Sequence, residues 1–459
     1  MLTYPKKIHQ LTTIVKDRKR LSVLIAVVVV LVLTAIIFSA EFVLKNHQAI
    51  KKPAVALSPD IVPGETRDCK PRGIAYYRTD KTLSVDPTND QILYVNVEEK
   101  GLYKSTDGGQ TWHQIDNGIK TYGLSSNPSK PCYGEYYITA IDPTNHNRLL
   151  LGSNDIVGNL SDRYAQTGGL YETLDAGKSW HQLINKTMDE YVTSLAIDPN
   201  HTSTIYYGTN SQAVSNNGGP TKSYVTKGVF YKTTDDGKSW TELPTGLETN
   251  TGGQFIAVDP GNSRHLFGAT LSFGYPNGSN SGRQTIGPQL GPVESFDGGQ
   301  TWNREATRLP VGYQAINDTD IAPTNFNHVF LTPFVSEGYA GKSFYSIDGG
   351  RTYQQSNMVM DTFTYDPSDP AGNRMVGYSW EGSNQKTMWF SSDAGATWQA
   401  SGTLPADIAN LSDTDTRVSK IVWDVQHPNE LFMSGAGGLV WRSNDLGQSW
   451  TRLLSYSNL

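Results

Sequence analysis

The sequence predicts an all-β fold: a single seven-bladed β-propeller of four-stranded blades, preceded by one N-terminal transmembrane helix. An eight-residue pattern recurs seven times along the chain, and a short β-branched run ending at Asp-Pro or a variant precedes each copy. The composition agrees, because 44 Gly, 23 Pro and only 18% charged residues favour many short turns over long charged helices. An uncharged run near the N-terminus predicts the helix.

The first 72 residues precede the propeller and divide into three segments. Residues 1–20 form a basic tail, and residues 21–39 are uncharged and mostly apolar. As a helix this run spans about 30 Å, so we expect residues 21–40 to be a signal anchor with the basic tail in the cytoplasm. A cleaved signal peptide is the alternative, although its hydrophobic stretch is normally about 7 to 15 residues. Residues 41–72 are Pro-rich and predict an extracytoplasmic tether, followed by the propeller at 73–459.

The sequence contains two cysteines. Cys69 lies where the tether ends and Cys132 lies in a Pro-rich loop of the body. Both fall on the oxidising side of the predicted membrane topology, so a disulfide between them is one possibility. Two unpaired thiols are the other, and two cysteines without a CxxC spacing do not indicate a zinc site.

The repeated pattern is S/T-x-D-x-G-x-S/T-W/Y, and its spacing predicts a tight hairpin turn. The Asp accepts main-chain N–H groups across the turn, the Gly supplies a positive φ, and the aromatic residue packs between neighbouring sheets. The predicted structural acids of the seven copies are Asp107, Asp175, Asp235, Asp297, Asp348, Asp393 and Asp445.

Each copy belongs to a unit that predicts four strands. Strand A ends at Asp-Pro or a variant, strand B follows it, strand C enters the eight-residue pattern and strand D begins at its aromatic residue. Leu83 to Asp86 before Ile92 to Val95 illustrates strands A and B, whereas the fifth unit has Ala322-Pro323 at the turn. The last D strand, Trp450 to Leu454, completes the seventh unit.

This signature resembles the Asp-box, or BNR-repeat, propellers, a superfamily that includes sialidases, xyloglucanase-type glycoside hydrolases, sortilin-type receptors and photosystem II assembly factors. The resemblance covers residues 82–454. It implies a propeller whose Asp-box lies on the C–D turn, away from the usual ligand face, so the seven Asp residues are expected to be structural. Because those relatives cleave glycans, bind peptides or assist assembly, the resemblance implies no single function.

Loop lengths indicate where a site would lie. The separation between the strand-A acid and the Asp-box acid is 21 residues in units one and seven but 33, 37 and 38 in units two to four. The excess falls in B–C connections, which we expect to overhang the face opposite the boxes. Their polar and aromatic residues suit a glycan or an extended peptide, although long surface loops alone would look the same. The candidate ligand-binding residues are Asp155, Arg163, Tyr164, Tyr224, Phe273, Tyr275 and Arg283, with Trp380 and Glu381 in the sixth unit, where a buried Trp is the alternative.

The enzymatic interpretations find little support in motifs. The sialidase resemblance implies an early aromatic-Arg-Ile/Leu-Pro motif, whereas Arg308-Leu-Pro310 follows the fourth box. The xyloglucanase-type relatives use two propellers and a pair of opposed carboxylates, whereas this chain has residues for one propeller. The assembly-factor resemblance implies an Arg-rich patch, whereas the arginines here are scattered. We therefore assign no catalytic residue.

Charge and motifs also limit the partners. The chain after residue 59 is acidic overall, which argues against a nucleic acid partner. No cofactor motif is present, and Asp318-Thr-Asp320 and Asp413-Thr-Asp415 lack an EF-type loop, so no metal site is predicted. The sequence thus favours a membrane-anchored, extracytoplasmic propeller that binds a glycan or protein without catalysis. A glycoside hydrolase, sialidase-like or xyloglucanase-like and acting on extracellular glycans, is the alternative.

Overall fold

The computed structural model describes residues 83–97, 100–119, 122–123, 131–132, 135–154, 169–184, 191–210, 230–243, 251–272, 291–303, 309, 316–333, 342–379, 387–405, 418–435 and 439–454. All of them belong to one compact unit, Glu65–Leu459. The predicted anchor, tether and Cys69 lie outside the described residues, as does the side chain of Cys132. Among the described residues, no helix is long and apolar enough to cross a membrane.

The described strands form seven antiparallel blades, which confirms the predicted seven-bladed, all-β propeller. The strands of blades one to three, with a small hairpin β5–β6 between the first two blades, are β1 (Ser84–Asp86), β2 (Asn89–Val97), β3 (Gly101–Ser105), β4 (His113–Gln114), β5 (Tyr122–Gly123), β6 (Pro131–Cys132), β7 (Glu135–Ile141), β8 (Leu149–Asn154), β9 (Gly169–Thr173), β10 (His181–Ile184), β11 (Tyr191–Ile197), β12 (Ile205–Asn210), β13 (Phe230–Thr233) and β14 (Thr241–Glu242).

The remaining four blades follow the same order along the chain. Their strands are β15 (Thr251–Asp259), β16 (Asn262–Ser272), β17 (Pro292–Ser295), β18 (Ile316–Ile321), β19 (Val329–Pro333), β20 (Phe344–Ser346), β21 (Gln354–Gln355), β22 (Thr362–Tyr365), β23 (Met375–Tyr378), β24 (Thr387–Ser391), β25 (Gln399–Thr403), β26 (Val418–Trp423), β27 (Leu431–Gly435), β28 (Val440–Ser443) and β29 (Thr451–Leu454). In blade four, a single β-bridge between Glu294 and Asn303 takes the place of strand D. The last D strand is present as predicted.

The innermost strands converge on the axis of the ring. Strand A of each blade contacts strand A of the next from β1 through β7, β11, β15, β18 and β22 to β26. Five of these strands also carry a register shift at corresponding places, for example between Gly253 and Phe255 of β15. A bulge of this kind bends a strand and increases its twist, which suits a ring of converging strands.

The core is a series of apolar clusters between neighbouring blades. The aromatic residue of each Asp-box packs against the cluster shared with the preceding blade, as predicted: Trp240 meets Tyr207 edge-on at 4.8 Å, and Trp302 stacks on Phe230 at 5.5 Å. Blades seven and one share a cluster that joins Phe432 and Leu454 to Leu93. Apolar packing therefore closes the ring between the last and the first blade.

Candidate functional site

The predicted ligand-binding residues lie in segments outside the described part of the chain. The described strands nevertheless place those segments in the topology, because each follows a B strand and precedes a C strand. Residues 155–168 connect β8 to β9, residues 211–229 connect β12 to β13, and residues 273–290 connect β16 to β17. The residues concerned are Asp155, Arg163, Tyr164, Tyr224, Phe273, Tyr275, Arg283, Trp380 and Glu381, whose roles stay predictions.

The Asp-box carboxylates form hydrogen bonds within their own turns. In blade one, Asp107 accepts the Thr111 main-chain N–H at 2.9 Å and the Ser105 hydroxyl at 2.8 Å, and it also accepts the Thr111 hydroxyl. Gly109 donates its N–H to the Ser105 hydroxyl and has φ +87°. The same bonds recur in the other six blades. The hairpin turn predicted from the pattern is confirmed.

These hydrogen bonds hold the carboxylates in the charged form. The hydroxyl and main-chain N–H of Thr111 lower the pKa of Asp107 to about 2, and the Ser179 and Thr173 hydroxyls lower that of Asp175 to about 2. A carboxyl that stays ionised to such low pH is poorly suited to donate a proton near neutral pH. The box acids act here as acceptors for their turns.

A second set of acids ends the A strands and joins buried charge clusters. In blade two, Asp142 accepts the Thr144 N–H at 2.8 Å and lies 3.1 Å from Arg148 Nη1. Arg148 also pairs with Glu172 at 2.7 Å and reaches Asp236 of blade three at 3.2 Å. The guanidinium satisfies acids from two blades, so this cluster is part of the frame.

Blade four builds the corresponding cluster around a histidine. His265 Nδ1 lies 2.9 Å from Asp259 and Nε2 lies 2.7 Å from Glu294, while the ring stacks on Phe296 at 4.7 Å. Burial opposes protonation, but the hydrogen bonds to Glu294 and Asp259 outweigh it and raise the pKa of His265. The arrangement lacks a nucleophilic hydroxyl or thiol among these contacts and favours a charged, structural histidine.

A third cluster lies at the junction of blades seven and one and has the composition of a metal site. Oxygen and nitrogen atoms of Asp90, Asp424, His427 and Glu430 lie within 4.8 Å of one another. Arg442, however, contacts Glu430 through Nε at 2.6 Å and Nη2 at 2.7 Å, and Asp90 at 3.4 Å. Because a guanidinium already neutralises two of the acids, these contacts favour an ion-pair network over a cation site.

The described residues also line an open cavity of about 360 Å³ on the ring axis. It is lined by A strands of five blades, and its wall is mostly aliphatic, with Leu83, Val85 and Ile421 among its residues. The polar side chains on the wall are those of Ser84, Thr364, Tyr365, Lys420 and Trp423, with one carboxylate, Asp320. A largely apolar cavity with a few converging polar groups has the form of a small-ligand site.

Asp320 is the acid that lines this cavity. Its carboxylate accepts the Ile321 N–H at 2.9 Å and the Tyr365 N–H at 3.2 Å. Burial raises the pKa of Asp320 to about 6, with the nearby charge of Asp318 acting in the same direction. A carboxyl with a perturbed pKa inside a cavity is a functional-site candidate.

Sequence reasoning named Asp320 only as one of two acids in Asp318-Thr-Asp320. The missing signal was its position in the repeat, two residues before the turn of strand A, which can be read by aligning the seven units. The histidine cluster and the cluster at the junction of blades seven and one were missed for a different reason. Glu294 joins Asp259 and His265 from another strand, and Asp90 joins Asp424, His427 and Glu430 from another blade.

Three comparisons with known proteins bear on identity. The BNR/Asp-box repeat model matches residues 103–114. A protein of Neosartorya fischeri named "probable oligoxyloglucan-reducing end-specific xyloglucanase" is 23% identical over 382 residues, covering 80% of this chain and 37% of that protein. This chain therefore spans well under half the length of that relative.

Solved structures resemble the fold at low sequence identity. An ancestral GH74 enzyme is 15% identical with a TM-score of 0.50, covering 82% of this chain and 46% of the other. A structure of YCF48 bound to a D1 peptide is 15% identical with a TM-score of 0.47, covering 80% and 94% of the two chains. Together with the seven repeated boxes, these findings identify the chain as a β-propeller of the Asp-box superfamily, without assigning it to one family.

Proposed function

We propose that this protein is a binding or assembly propeller for a polar ligand or protein partner, without catalysis. One observation carries the proposal: among the described residues that line the axial cavity, Asp320 is the single carboxylate. Hydrolysis of a glycosidic bond normally uses two carboxyl groups on opposite sides of that bond. The Asp-box acids support the same conclusion, since their oxygens accept hydrogen bonds within their turns.

The test records retention and product release together. The purified full-length chain, in detergent, is presented with a panel of labelled glycans, and bound and released sugar are both measured. We expect no released sugar, with retention if the ligand is a glycan and neither signal if the partner is a protein. Release of a defined sugar that heat-denatured protein does not produce would refute the proposal.

The second candidate function is a glycoside hydrolase acting on extracellular glycans. It is favoured by the similarity to the Neosartorya fischeri protein and by Asp320, because a carboxyl with a pKa of about 6 is suited to general acid catalysis. Its partner carboxylate would come from the predicted loops, with Asp155 and Glu381 as candidates. If sugar is released, Asp320→Asn and one of the variants Asp155→Asn and Glu381→Gln should each abolish release, whereas Asp107→Asn should not.

The predicted B–C loops of blades two to four are the proposed recognition surface for a large partner. Their aromatic residues Tyr164, Tyr224 and Tyr275 are expected to make much of the contact. Replacing all three with Ala should weaken retention of a bound glycan or protein at least tenfold while the melting temperature changes little. Unchanged retention would exclude this surface.

We also propose that residues 21–40 anchor the propeller outside the cell membrane, with residues 1–20 in the cytoplasm. The proposal is supported by the 19-residue uncharged run and the basic residues before it. Membranes from expressing cells should retain the chain after alkaline carbonate washing, and external protease should digest the propeller in intact cells. Extraction by carbonate, or protection from the protease, would contradict the proposed topology.

A further inference from the structure

Blade five departs from the repeat at two positions of its innermost strand. Ala322 stands where the other six blades have an Asp at the end of strand A, and Asp320 stands two residues earlier. The other blades have small or uncharged side chains at that earlier position: Ser84, Ala140, Ala196, Ala257, Thr364 and Val422. Blade five thus has its carboxylate at a different place along strand A.

The position of Asp320 faces the open axis of the ring. Six of the seven residues at this position are half-buried, whereas the residue before each of the seven is buried. Side chains alternate between the two faces of a strand, so the less buried set points towards the axis. Four members of the set, Ser84, Asp320, Thr364 and Val422, line the cavity.

In blade five this carboxylate accepts the Tyr365 N–H of blade six and does not close the turn of its own blade. The A–B turn of blade five closes without an acid: Ala322 donates its N–H to the His328 carbonyl at 3.0 Å, and Asn325 donates to the Ala322 carbonyl at 3.1 Å. The equivalent bond in blade two, from Asp142 N–H to the Arg148 carbonyl, is also 3.0 Å. Asp320 is therefore not a displaced turn residue: it links blade five to blade six through the Tyr365 N–H, and it also places a carboxylate in the cavity.

The Asp320 carboxylate accepts hydrogen bonds from the Ile321 and Tyr365 N–H groups and from Thr364, and it forms no ion pair with a described residue. The titratable neighbours are Asp318 on its own strand, Tyr365 on β22 and Lys420 on β26. Burial raises the pKa of Asp320, and Lys420 is not among the groups that shift it. The buried hydroxyl of Tyr365, a residue of the cavity wall, has no hydrogen-bond partner among the described atoms.

We propose that the axial cavity binds a small primary ammonium compound, with its charged head on the Asp320 carboxylate and its apolar body against Val422. This proposal rests on the proposed binding function and names its ligand class. A volume of about 360 Å³ accommodates a body of about ten heavy atoms. The mostly aliphatic wall favours an apolar body, and the single carboxylate without an ion pair favours a cationic head that donates hydrogen bonds.

The experiment uses 2-phenylethylammonium as the probe and 2-phenylethanol as a neutral compound of the same shape. Isothermal titration calorimetry with the full-length chain at pH 8 should detect binding of the amine, and binding of the alcohol at least tenfold weaker. Asp320→Asn should weaken amine binding at least tenfold, whereas Asp107→Asn, which removes the same charge from an Asp-box, should leave it unchanged. At pH 4.5 the wild-type chain should bind the amine about tenfold more weakly, because Asp320 is then mostly protonated.

Three results would overturn the proposal: no binding of the amine, equal binding of amine and alcohol, or unchanged binding by Asp320→Asn. Folding does not confuse the result, since the loss of a buried charge without an ion pair is not expected to destabilise the chain and circular dichroism checks it. Failure of the amine with no sugar release in the glycan experiment rejects only this ligand class. Sugar release rejects the proposed binding function whether or not the amine binds.

Discussion

The ionised form of Asp320 lowers the stability of the fold, and the pH dependence of stability should show this effect. Its pKa is about 6 in the folded chain, above the ordinary value of 3.8. Because the folded pKa is the higher one, the stability that protonation provides is present below about pH 4 and is lost as pH rises through about 6. At pH 7 to 8 the ionised carboxylate therefore destabilises the fold, by about 3 kcal/mol.

We expect Asp320→Asn to raise the free energy of unfolding by about 1 to 2 kcal/mol at pH 7.5, less than the full value because one acceptor oxygen is lost. The gain should shrink as pH falls and vanish near pH 4. Chemical denaturation of both chains between pH 4 and 8 measures it. A difference that stays constant across this range would mean that Asp320 titrates as an ordinary carboxyl.

Charge has the opposite effect at His265. The charged form of this residue stabilises blade four, whereas the charged form of Asp320 destabilises the fold. The pKa of His265 is raised in the fold, so the stability it provides is present below about pH 6.5 and is lost as pH rises through the raised value. His265→Gln should cost about 2 kcal/mol at pH 6 and less at pH 9. Glu294 is the group left without its cationic partner in this variant.

The matched control for His265 is His328, its counterpart in blade five. The His328 ring contacts the Gly372 carbonyl oxygen at 2.9 Å and the Asn325 amide at 3.2 Å. His328→Gln controls for the loss of an imidazole at this position, because the His328 ring contacts a carbonyl and an amide instead of two acids. If His265→Gln shows no dependence on pH in denaturation experiments, His265 is not charged between its two acids.

At the scale of the element, the Asp-box turn contains a position with positive φ that not every blade fills with Gly. The position before the conserved Gly is Gly in blades one, four and five, but Ala176, Asp236, Ala394 and Leu446 occupy it with φ of 57° to 59° in the other four. A side chain with a Cβ costs roughly 1 kcal/mol in this region. Four of the seven turns therefore carry removable strain.

A reciprocal exchange tests this strain. Ala176→Gly keeps the main-chain bond from its N–H to the Asn147 carbonyl and should stabilise the chain by about 0.5 kcal/mol, after the greater freedom of Gly in the unfolded chain is subtracted. Gly298→Ala, at φ +75°, should destabilise it by about 1 kcal/mol. Denaturation midpoints measure both, and a loss of stability in Ala176→Gly would show that the turn is not strained there.

The elements were predictable because each is encoded locally. The box from Ser105 to Trp112 contains every group that its hairpin uses, and the Asp-Pro turn after Val85 separates two β-branched runs. The site was less predictable, because a residue faces the axis only once seven units form a ring. Asp320 therefore resembles a solvated acid in its own segment, and the His265 cluster combines side chains from three strands and one Asp-box turn.

At the scale of the whole molecule, the ring depends on a seam that no covalent bond secures within the described residues. Arg442 of blade seven joins Glu430 of its own blade to Asp90 of blade one, 352 residues earlier in the chain. Beneath this network, Phe432 and Leu454 pack against Leu93. Every other junction joins blades that are adjacent in sequence, so chain connectivity limits their separation, whereas the strands of blades seven and one lie at opposite ends of the described chain.

Arg442→Leu tests this difference. The loss of the Arg442 contacts should weaken the seam more than the loss of similar contacts would weaken any other junction. The variant leaves the Glu430 carboxylate buried without its guanidinium, which we expect to cost about 3 kcal/mol, and Arg442→Leu with Glu430→Leu should recover most of that loss. If the ring opens first at the seam, hydrogen exchange in Arg442→Leu should accelerate most in β1–β4 and β26–β29, because these blades lose their neighbour before the others unfold. Uniform acceleration over all seven blades would instead show that the ring unfolds as one cooperative unit, with the seam no weaker than the six junctions between consecutive blades.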